Sequence, residues 1–335
     1  MNGRAPIGRR HLLRISAAAL ALPAGVLALR EIAGPGLPEA VRWQGEALGA
    51  QAGMTLWHPS RAVAQRTIIR MQGEVERLER IFSLYRPDSE IMRLNTEGRL
   101  LAPSREFLGV LQAARDIHEA SAGAFDPTVQ GLWQAHARHF AAAGAAGNRP
   151  ALHEAIAAAR DTGRFDQVDF SARGIGFARP GLAITLNGIA QGYITDRVTE
   201  LLRNEGFDSA MIELGETRAL GAAPDGTPFE VRLVNPLRPA MADRSLHLAD
   251  AALAVSGGYG LRFGPPGVHH IFDPATGQSA NRLLDVAVTA SSAIRADALS
   301  TAIFVAGEAD APGILRHYPD ARVTLTRIDG TRTTL

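Results

Sequence analysis

The chain has 335 residues, of which 46% are hydrophobic and 21% charged, a composition typical of a globular protein with one or two domains rather than a disordered or fibrous one. All 35 positively charged side chains are arginines, which excludes Schiff-base lysines, phosphate-loop lysines and lysine general bases. The sequence has no cysteine, so disulfides, thiolate nucleophiles and thiolate metal sites are also excluded, and any metal ligand must be oxygen or imidazole.

The first 33 residues form a candidate export signal. They hold five arginines and one glutamate, and the pair Arg9-Arg10 precedes an apolar, alanine-rich run from Ile15 to Leu29. This run is shorter than the ~20 residues that a transmembrane helix requires. We therefore predict a twin-arginine signal segment over residues 1–33, a periplasmic location and no permanent membrane span. The rest of the chain has a slight excess of acidic residues and no basic face, so no nucleic-acid partner is expected.

Five helices are predicted in the part of the chain that follows. From residue 41 to residue 335 no linker interrupts the sequence, which predicts a single domain with one or two lobes, and the Ala/Gly-rich stretch 141–147 is typical of a surface loop. Ser60 is a candidate N-cap for apolar residues at helical spacing. The other predicted helices cover 104–122, 150–162, 187–206 and, near the C-terminus, 293–306.

Short β-branched or alternating runs lie between these helices and predict strands. They cover residues 182–186, 210–214, 229–234, 252–256, 286–290 and 323–327. Strands and helices do not alternate as they do in a doubly wound sheet. The predicted fold class is therefore α+β, with largely antiparallel sheets and packed helices.

Two polar turns each have a structural and a ligand-binding interpretation. Residues 85–90, Tyr-Arg-Pro-Asp-Ser-Glu, combine an aromatic ring, a guanidinium group and two carboxylates, whereas Asp88 or Ser89 can also cap a short helix through Leu94. In residues 123–128, Gly-Ala-Phe-Asp-Pro-Thr, Asp126 can hold the turn or bind a ligand hydroxyl. The local sequence leaves both alternatives open.

Residues 187–193, Asn-Gly-Ile-Ala-Gln-Gly-Tyr, place two glycines near a helix start, directly after an apolar run. Such a turn lets backbone groups approach a phosphate or a metal ion, although close helix-to-strand packing requires the same glycines. The turn has no GxGxxG pattern, which argues against a Rossmann-type dinucleotide fold.

Two further segments carry candidate catalytic groups. In an extended segment, His269 and His270 point to opposite sides, so we expect one of them in a site and the other in solvent. The remaining histidines are scattered singly, which argues against zinc. In the predicted helix 293–306, Asp297 and Thr301 are four residues apart and share one face. Such oxygen ligands suit Mg²⁺ bound to substrate phosphates, and the alternative is a buried Asp297 hydrogen-bonded to Thr301.

Six segments, taken in chain order, resemble the FAD:protein FMN transferase (ApbE-like) family. They are SLYRPDSEIMRLN (83–95), GAFDPTVQGLW (123–133), LNGIAQGYITDRV (186–198), SGGYGLRF (256–263), HIFDPATG (270–277) and ADALSTAIFVAG (296–307). LNGIAQGY and ELGETRALG are more similar to the NosX branch, which is associated with nitrous oxide reductase maturation. Most of the family has a lysine in place of Gln191 and a second glycine in place of Glu216.

The resemblance implies transfer of FMN from FAD to a Thr or Ser hydroxyl of another exported flavoprotein, with release of AMP. A NosR-type membrane regulator is one candidate acceptor. It also implies Mg²⁺ held by the Ala190 carbonyl and the side chains of Asp297 and Thr301, with His270 as the base for the attacking hydroxyl. The residues implied to line the FAD pocket are Met54, Tyr85, Ala124, Phe125, Asp126, Asn187, Tyr193 and Ile271.

Two alternatives to this function remain open at the level of sequence. Gln191 removes a positive charge near the phosphates, and together with Glu216 it is compatible with a non-catalytic FAD-binding maturation factor for a periplasmic redox system. If water replaced the protein hydroxyl, the chain would instead be an FAD pyrophosphatase that forms FMN and AMP.

Overall fold

The structure, a computed structural model, describes residues 26–29, 38–47, 49–143 and 149–335. The predicted signal segment lies outside these ranges, apart from the four residues of the first strand. The strands are β1 (Val26–Leu29), β2 (Ala40–Ala47), β3 (Ala50–Trp57), β4 (Arg99–Leu101), β5 (Val168–Ser171), β6 (Gly174–Phe177), β7 (Ser209–Glu213), β8 (Thr217–Leu220), β9 (Phe229–Asn235), β10 (Arg238–Leu248), β11 (Ala252–Gly257), β12 (Asp285–Ala290), β13 (Arg322–Thr326) and β14 (Arg332–Thr334). The α-helices are α1 (Arg61–Phe82), α2 (Glu90–Glu97), α3 (Arg105–Ala120), α4 (Gln130–Ala143), α5 (Arg149–Thr162), α6 (Ala190–Asn204), α7 (Ala293–Ala306) and α8 (Ala311–Leu315).

Among the described residues, eight strands form the main sheet in the order β14-β13-β12-β11-β8-β7-β3-β2. Two three-stranded sheets, β1-β9-β10 and β4-β6-β5, accompany it. The strand pairs within these ranges are antiparallel throughout. The predicted α+β class with largely antiparallel sheets and packed helices is confirmed.

The main sheet separates two apolar layers, because successive side chains of a strand point to opposite faces. In β7, Ala210 and Ile212 belong to the layer with the helices, whereas Met211 belongs to the layer with β9 and β10. Helix α7 is mostly apolar and largely buried, as expected for a helix that packs on β11 and β12 and is crossed by α6. One cluster of buried side chains extends from Val41 to Leu325, in agreement with the predicted single domain.

Most of the predicted helices and strands are confirmed, with ends that differ by a residue or two. Ser60 caps α1 through a hydrogen bond from the backbone N–H of Val63, and α7 begins and ends where predicted. Ser89 caps α2, which confirms the structural interpretation of that turn. Of the stretch predicted as a loop, 141–143 belong to the end of α4, and 144–147 lie outside the described residues.

Two predictions near residue 186 are wrong. Residues 182–186 join none of the described sheets. The side chain of Asn95 pairs with both backbone groups of Ile184, and Thr185 N–H donates to the Pro127 carbonyl. Helix α6 begins at Ala190 rather than at residue 187, because residues 187–189 form a turn. In residues 182–186, the backbone groups therefore bond to the Asn95 side chain and to the Pro127 carbonyl instead of to a neighbouring strand.

Within the described ranges, no helix has both the length and the apolar character needed to cross a bilayer.

Candidate active site

Helices α6 and α7 approach each other closely at Gly192. A Cβ atom at this position would lie 2.3 Å from the carbonyl oxygen of Ala293, so a larger residue would push the helices apart. Across the contact, the N–H of Gly192 donates a hydrogen bond to Oδ2 of Asp297 at 3.0 Å. The crossing therefore fixes Asp297 against the first turn of α6, which also contains Ala190.

Asp196 joins the same two helices one turn further along α6. Its carboxylate accepts hydrogen bonds from the backbone N–H groups of Ala293 (2.8 Å) and Ile294 (2.9 Å). Ser292, at the N-cap position of α7, makes no capping bond with its side chain. Asp196 therefore caps α7 from a neighbouring helix and satisfies two N–H groups that a helix start leaves without a partner.

Asp297, which is buried, and Glu216, which is partly buried, are two acids whose pKa values are raised. Asp297 is 4% exposed, and burial raises its pKa to about 7 although the Gly192 N–H lowers it. Burial raises the pKa of Glu216 well above its usual range, and the negative charge of Asp297 raises it further. Neither acid forms an ion pair with a cationic side chain of the described residues. The hydrogen bond of Asp297 comes from Gly192 and not from Thr301, contrary to the purely structural alternative.

Thr301 lies where α7 meets the end of β11. Its Oγ1 is 3.3 Å from Oγ of Ser256, which also hydrogen-bonds to Ser300 Oγ at 2.7 Å. The turn before α6 passes close by, since a Cβ atom at Gly188 would lie 3.2 Å from Thr301 Oγ1 and 3.4 Å from the ring of Phe125. Three separate segments of the sequence, the Phe125 turn, the Gly188 turn and α7, therefore meet here.

His270 is held as a neutral imidazole. Its Nδ1 lies 3.2 Å from the carbonyl oxygen of Leu261, and because a carbonyl can only accept, we assign the proton to Nδ1 and a free lone pair to Nε2. Burial lowers the pKa of His270 to about 4, and the adjacent ring of His269 adds to the lowering. The side chain is therefore uncharged at pH 7, with the tautomer that a proton acceptor at Nε2 requires.

His269 is 2% exposed, so the prediction that one of the two adjacent histidines lies in solvent is wrong. Its Nε2 hydrogen-bonds to the Ala280 carbonyl at 2.9 Å, and its ring packs against Phe304 of α7. The segment is covered on both sides. Helix α7 packs against His269, and the loop after β11 lies against His270 at Gly260.

Three of the residues implied to line the FAD pocket are buried in the core. Met54 is 2% exposed and lies in β3 between its cross-strand neighbours Trp43 and Ile212. Phe125 and Ile271 belong to the same large cluster of buried side chains. Phe125 also lies beside the Gly188 turn.

Four further candidates for the FAD pocket are more accessible. Tyr85 is 55% exposed, and Asn187 is exposed at the start of the turn before α6. Tyr193 is half-buried, and its ring packs edge-on against Phe82, with the centroids 5.6 Å apart. Ala124 is half-buried against the core. The roles of these residues toward FAD stay predictions.

Asp126 holds the turn in which it lies. Its Oδ1 accepts hydrogen bonds from the N–H (2.8 Å) and the hydroxyl (2.6 Å) of Thr128, and its Oδ2 lies 3.9 Å from Nδ1 of His118. Burial raises the pKa of Asp126, and the bonds from Thr128 oppose this effect. The turn-holding interpretation is confirmed, and a ligand contact through the second oxygen stays a prediction.

Sequence reasoning does not identify Asp196 or Ser256 as part of this site, because their partners lie 97 and 45 residues away and leave no local signal. Gln191 and Glu216 are noticeable in the sequence only as departures from a family pattern. The structure places Gln191 against Gly215, the residue before Glu216, since a Cβ atom at Gly215 would lie 2.4 Å from Nε2 of Gln191.

Comparison with known proteins identifies the family. A model of the ApbE family matches residues 48–325. The chain belongs to the ApbE family. Relatives of this ApbE-family chain named FAD:protein FMN transferase include one from Vibrio cholerae, 32% identical over 255 residues that cover 71% of this chain and 74% of the relative. Another, from Treponema pallidum, is 30% identical over 270 residues that cover 73% of this chain and 72% of the relative. The predicted enzyme class, FAD:protein FMN transferase, is confirmed.

Solved ApbE structures have the same fold. The flavin transferase ApbE from Vibrio cholerae superposes with a TM-score of 0.73 at 26% identity, over 89% of this chain and 96% of that chain. The ApbE protein from Thermotoga maritima gives a TM-score of 0.75 at 26% identity, over 88% and 96% of the two chains. The predicted single ApbE-like domain is confirmed.

Proposed function

We propose that this ApbE-family chain transfers FMN from FAD to a Thr or Ser hydroxyl of an exported acceptor flavoprotein and releases AMP. The names of its relatives support FAD as the substrate and a protein as the acceptor. The observation that carries the proposal is the contact between Gly192 and Asp297, because it brings a buried carboxylate to the turn where glycines allow close approach of a ligand.

Magnesium is the metal that the site would take. Asp297, the hydroxyl of Thr301 and the carbonyl of Ala190 are hard oxygen donors of the kind that Mg²⁺ prefers. The fit is supported by the buried charge of Asp297, which no cationic side chain of the described residues neutralises. In the described part of the chain, no three His, Asp or Glu side chains lie close enough together to hold a metal ion. Backbone and hydroxyl oxygens would therefore complete the ligand set. When bound, Mg²⁺ neutralises charge on the pyrophosphate of FAD.

In the proposed reaction, the acceptor hydroxyl oxygen forms a bond to the phosphorus of the FMN half of FAD. The bond from that phosphorus to the bridging oxygen breaks, and AMP leaves with the bridging oxygen. His270 accepts the hydroxyl proton at Nε2 while its Nδ1–H stays on Leu261, so the ring keeps its orientation. Phosphoryl transfer depends mainly on positioning and charge neutralisation, which these groups supply.

The FAD pocket is proposed from the residues that the family resemblance implies. They are Met54, Tyr85, Ala124, Phe125, Asp126, Asn187, Tyr193 and Ile271. The position of Phe125 beside the Gly188 turn supports a flavin or adenine ring at this end of α6.

The location and the partner are also proposals. Arg9-Arg10 and the apolar run after them support export by the twin-arginine route to the periplasm. The segments LNGIAQGY and ELGETRALG support a place in the NosX branch, with nitrous oxide reductase maturation as the process and a NosR-type membrane regulator as the acceptor.

The test is reconstitution with purified protein, FAD, Mg²⁺ and a candidate acceptor. Mass spectrometry of the acceptor should show one added FMN on a Thr or Ser, and chromatography should show an equal amount of AMP. Free FMN and AMP with an unmodified acceptor would replace the proposal with an FAD pyrophosphatase. Bound FAD without either product would replace it with a non-catalytic maturation factor.

A further inference from the structure

We propose that Ser256 and Ser300 are positioning residues that direct the hydroxyl proton of Thr301 away from the divalent cation, so that the oxygen of Thr301 is free to bind it. The inference rests on the function proposed above, in which Thr301 is a ligand of the cation. It assigns a role to two hydroxyl groups that this function leaves unused.

The hydroxyl of Thr301 is bonded differently from those of the two threonines in α6. Thr195 and Thr199 each donate their hydroxyl proton to the carbonyl four residues earlier, at 2.8 Å. The corresponding carbonyl for Thr301 is that of Asp297, and the hydroxyl of Ser300 bonds to it instead, at 2.9 Å. The proton of Thr301 therefore needs a different acceptor.

The direction of the hydrogen bonds follows from the carbonyl at one end. A carbonyl oxygen can only accept, so the single proton of the Ser300 hydroxyl is donated to Asp297. Ser300 Oγ must then accept from Ser256 Oγ, 2.7 Å away. Because this uses the proton of Ser256, Ser256 Oγ must accept from Thr301 Oγ1, at 3.3 Å. The chain of hydroxyl groups thus takes the proton of Thr301 and leaves its lone pairs unused.

This direction matters for binding a cation. A hydroxyl oxygen binds a cation through a lone pair, and its proton then becomes a stronger donor that needs an acceptor. Ser256 supplies the acceptor from the end of β11. The turn before α6 approaches the same oxygen, since a Cβ atom at Gly188 would lie 3.2 Å from Thr301 Oγ1. If Ser256 donated to Thr301 instead, its proton would occupy a lone pair that the cation requires.

Titration of the full chain with Mn²⁺, at saturating FAD and without an acceptor protein, followed by electron paramagnetic resonance, tests this inference. Ser256→Ala should weaken Mn²⁺ binding by about 10-fold, the lower end of the range for groups that support a metal ligand. Ser209→Ala is the matched control, because Ser209 is also a half-buried strand serine, and its hydroxyl bonds to the Ala222 carbonyl at 2.8 Å. This control should bind Mn²⁺ as the wild type does.

Two variants of equal size separate the effect of the hydroxyl from the effect of shape. Ser256→Thr keeps the hydroxyl and should restore the affinity for Mn²⁺, whereas Ser256→Val should bind as weakly as Ser256→Ala. This pair also provides the test if the alanine variant does not fold. Ser300→Ala leaves the proton of Ser256 without its acceptor, so Ser256 can donate to Thr301, and this variant should also weaken Mn²⁺ binding.

A double-mutant cycle distinguishes positioning from a structural role. If Ser256 acts through Thr301, Ser256→Ala should cause no further loss of Mn²⁺ affinity in a Thr301→Val background. An equal loss in both backgrounds would overturn the inference and assign Ser256 a structural role. Wild-type affinity in Ser256→Ala or in Ser300→Ala would also overturn it.

Thr301→Val alone separates this failure from failure of the proposed function. If Thr301→Val weakens Mn²⁺ binding and Ser256→Ala does not, only the role of the serines falls. If Thr301→Val binds Mn²⁺ as the wild type does, Thr301 is not a ligand, and the proposed ligand set falls as well.

Discussion

The backbone N–H of Gly192 donates a hydrogen bond to the carboxylate of Asp297 across 105 residues of sequence. The bond is possible because Gly192 has no Cβ where the carbonyl of Ala293 approaches. The first turn of α6 and the buried acid of α7 are thereby held in one place. The position of the proposed cation ligand thus depends on a single small residue at a helix crossing.

Gly192→Ala should disrupt this crossing. The added methyl would meet Ala293 at 2.3 Å, and such overpacking typically costs about 1–3 kcal/mol of the free energy of unfolding. Gly73→Ala is the control, since Gly73 lies within α1 with no atom near the added methyl and should gain about 0.5–1 kcal/mol. Urea unfolding measures both, and a Gly192→Ala protein as stable as the wild type would contradict the assigned role.

His270→Gln should slow flavin transfer and leave FAD binding intact. If Nε2 takes the proton from the acceptor hydroxyl, the loss should be about 10²- to 10⁴-fold. Single-turnover transfer and FAD fluorescence titration measure the two quantities separately. Unchanged transfer would exclude His270 as the base, and loss of FAD binding would indicate a structural imidazole.

The same variant should change the pH dependence of stability. The pKa of His270 is about 4 in the folded protein and near the ordinary value of 6.5 in the unfolded chain, so the unfolded chain binds a proton first as the pH falls. The free energy of unfolding should therefore be fully retained above pH 6.5 and decrease toward pH 4. Urea unfolding of wild type and His270→Gln across this range should show a smaller decrease in the variant, and parallel curves would refute the buried, neutral state.

Asp297→Asn should lower FAD turnover sharply or require far more Mg²⁺, because the carboxamide cannot balance the charge of the cation. Thr301→Val should act in the same direction but more weakly, since a neutral hydroxyl contributes less to a hard cation. Turnover with an acceptor present is measured against Mg²⁺ concentration, and a melting curve detects unfolding. If the wild type kept its full turnover in the presence of a chelator, the reaction would not require the metal.

Arg244 and Asp285 form a buried ion pair at 2.8 Å that ties β10 to the start of β12. Asp285→Ala leaves the guanidinium without its partner and should cost about 3–5 kcal/mol of the free energy of unfolding. The double variant Arg244→Met, Asp285→Leu replaces both charges with apolar groups and should recover most of this loss. Urea unfolding measures the free energy of unfolding of both variants. If Asp285→Ala were as stable as the double variant, the stabilising role of the ion pair would be contradicted.

Export should depend on the arginine pair. Replacement of Arg9 and Arg10 by lysine keeps the charge of the segment but removes the feature that defines the twin-arginine signal. The double variant should stay in the cytoplasm, as measured by cell fractionation with the unaltered chain as control. Normal export of the variant would exclude this route.

The sequence by itself determined the features that depend on near neighbours. The caps Ser60, Ser89 and Ser104 each accept a hydrogen bond from a backbone N–H three residues later, so their effect is local. The bounds of α7 follow from a mostly apolar run, and the order of the motifs was sufficient to indicate the ApbE family. Short-range hydrogen bonds and hydrophobic patterning are encoded within a few residues of where they act.

Only the tertiary structure decided the features that depend on distant contacts. The side chain of Asn95 removes the backbone of Ile184 from any sheet, α7 buries His269, and the α6–α7 crossing brings Asp297 next to Gly192. Burial and charge pairing are properties of the packed chain, because the low dielectric and the neighbouring groups exist only after segments far apart in sequence have come together.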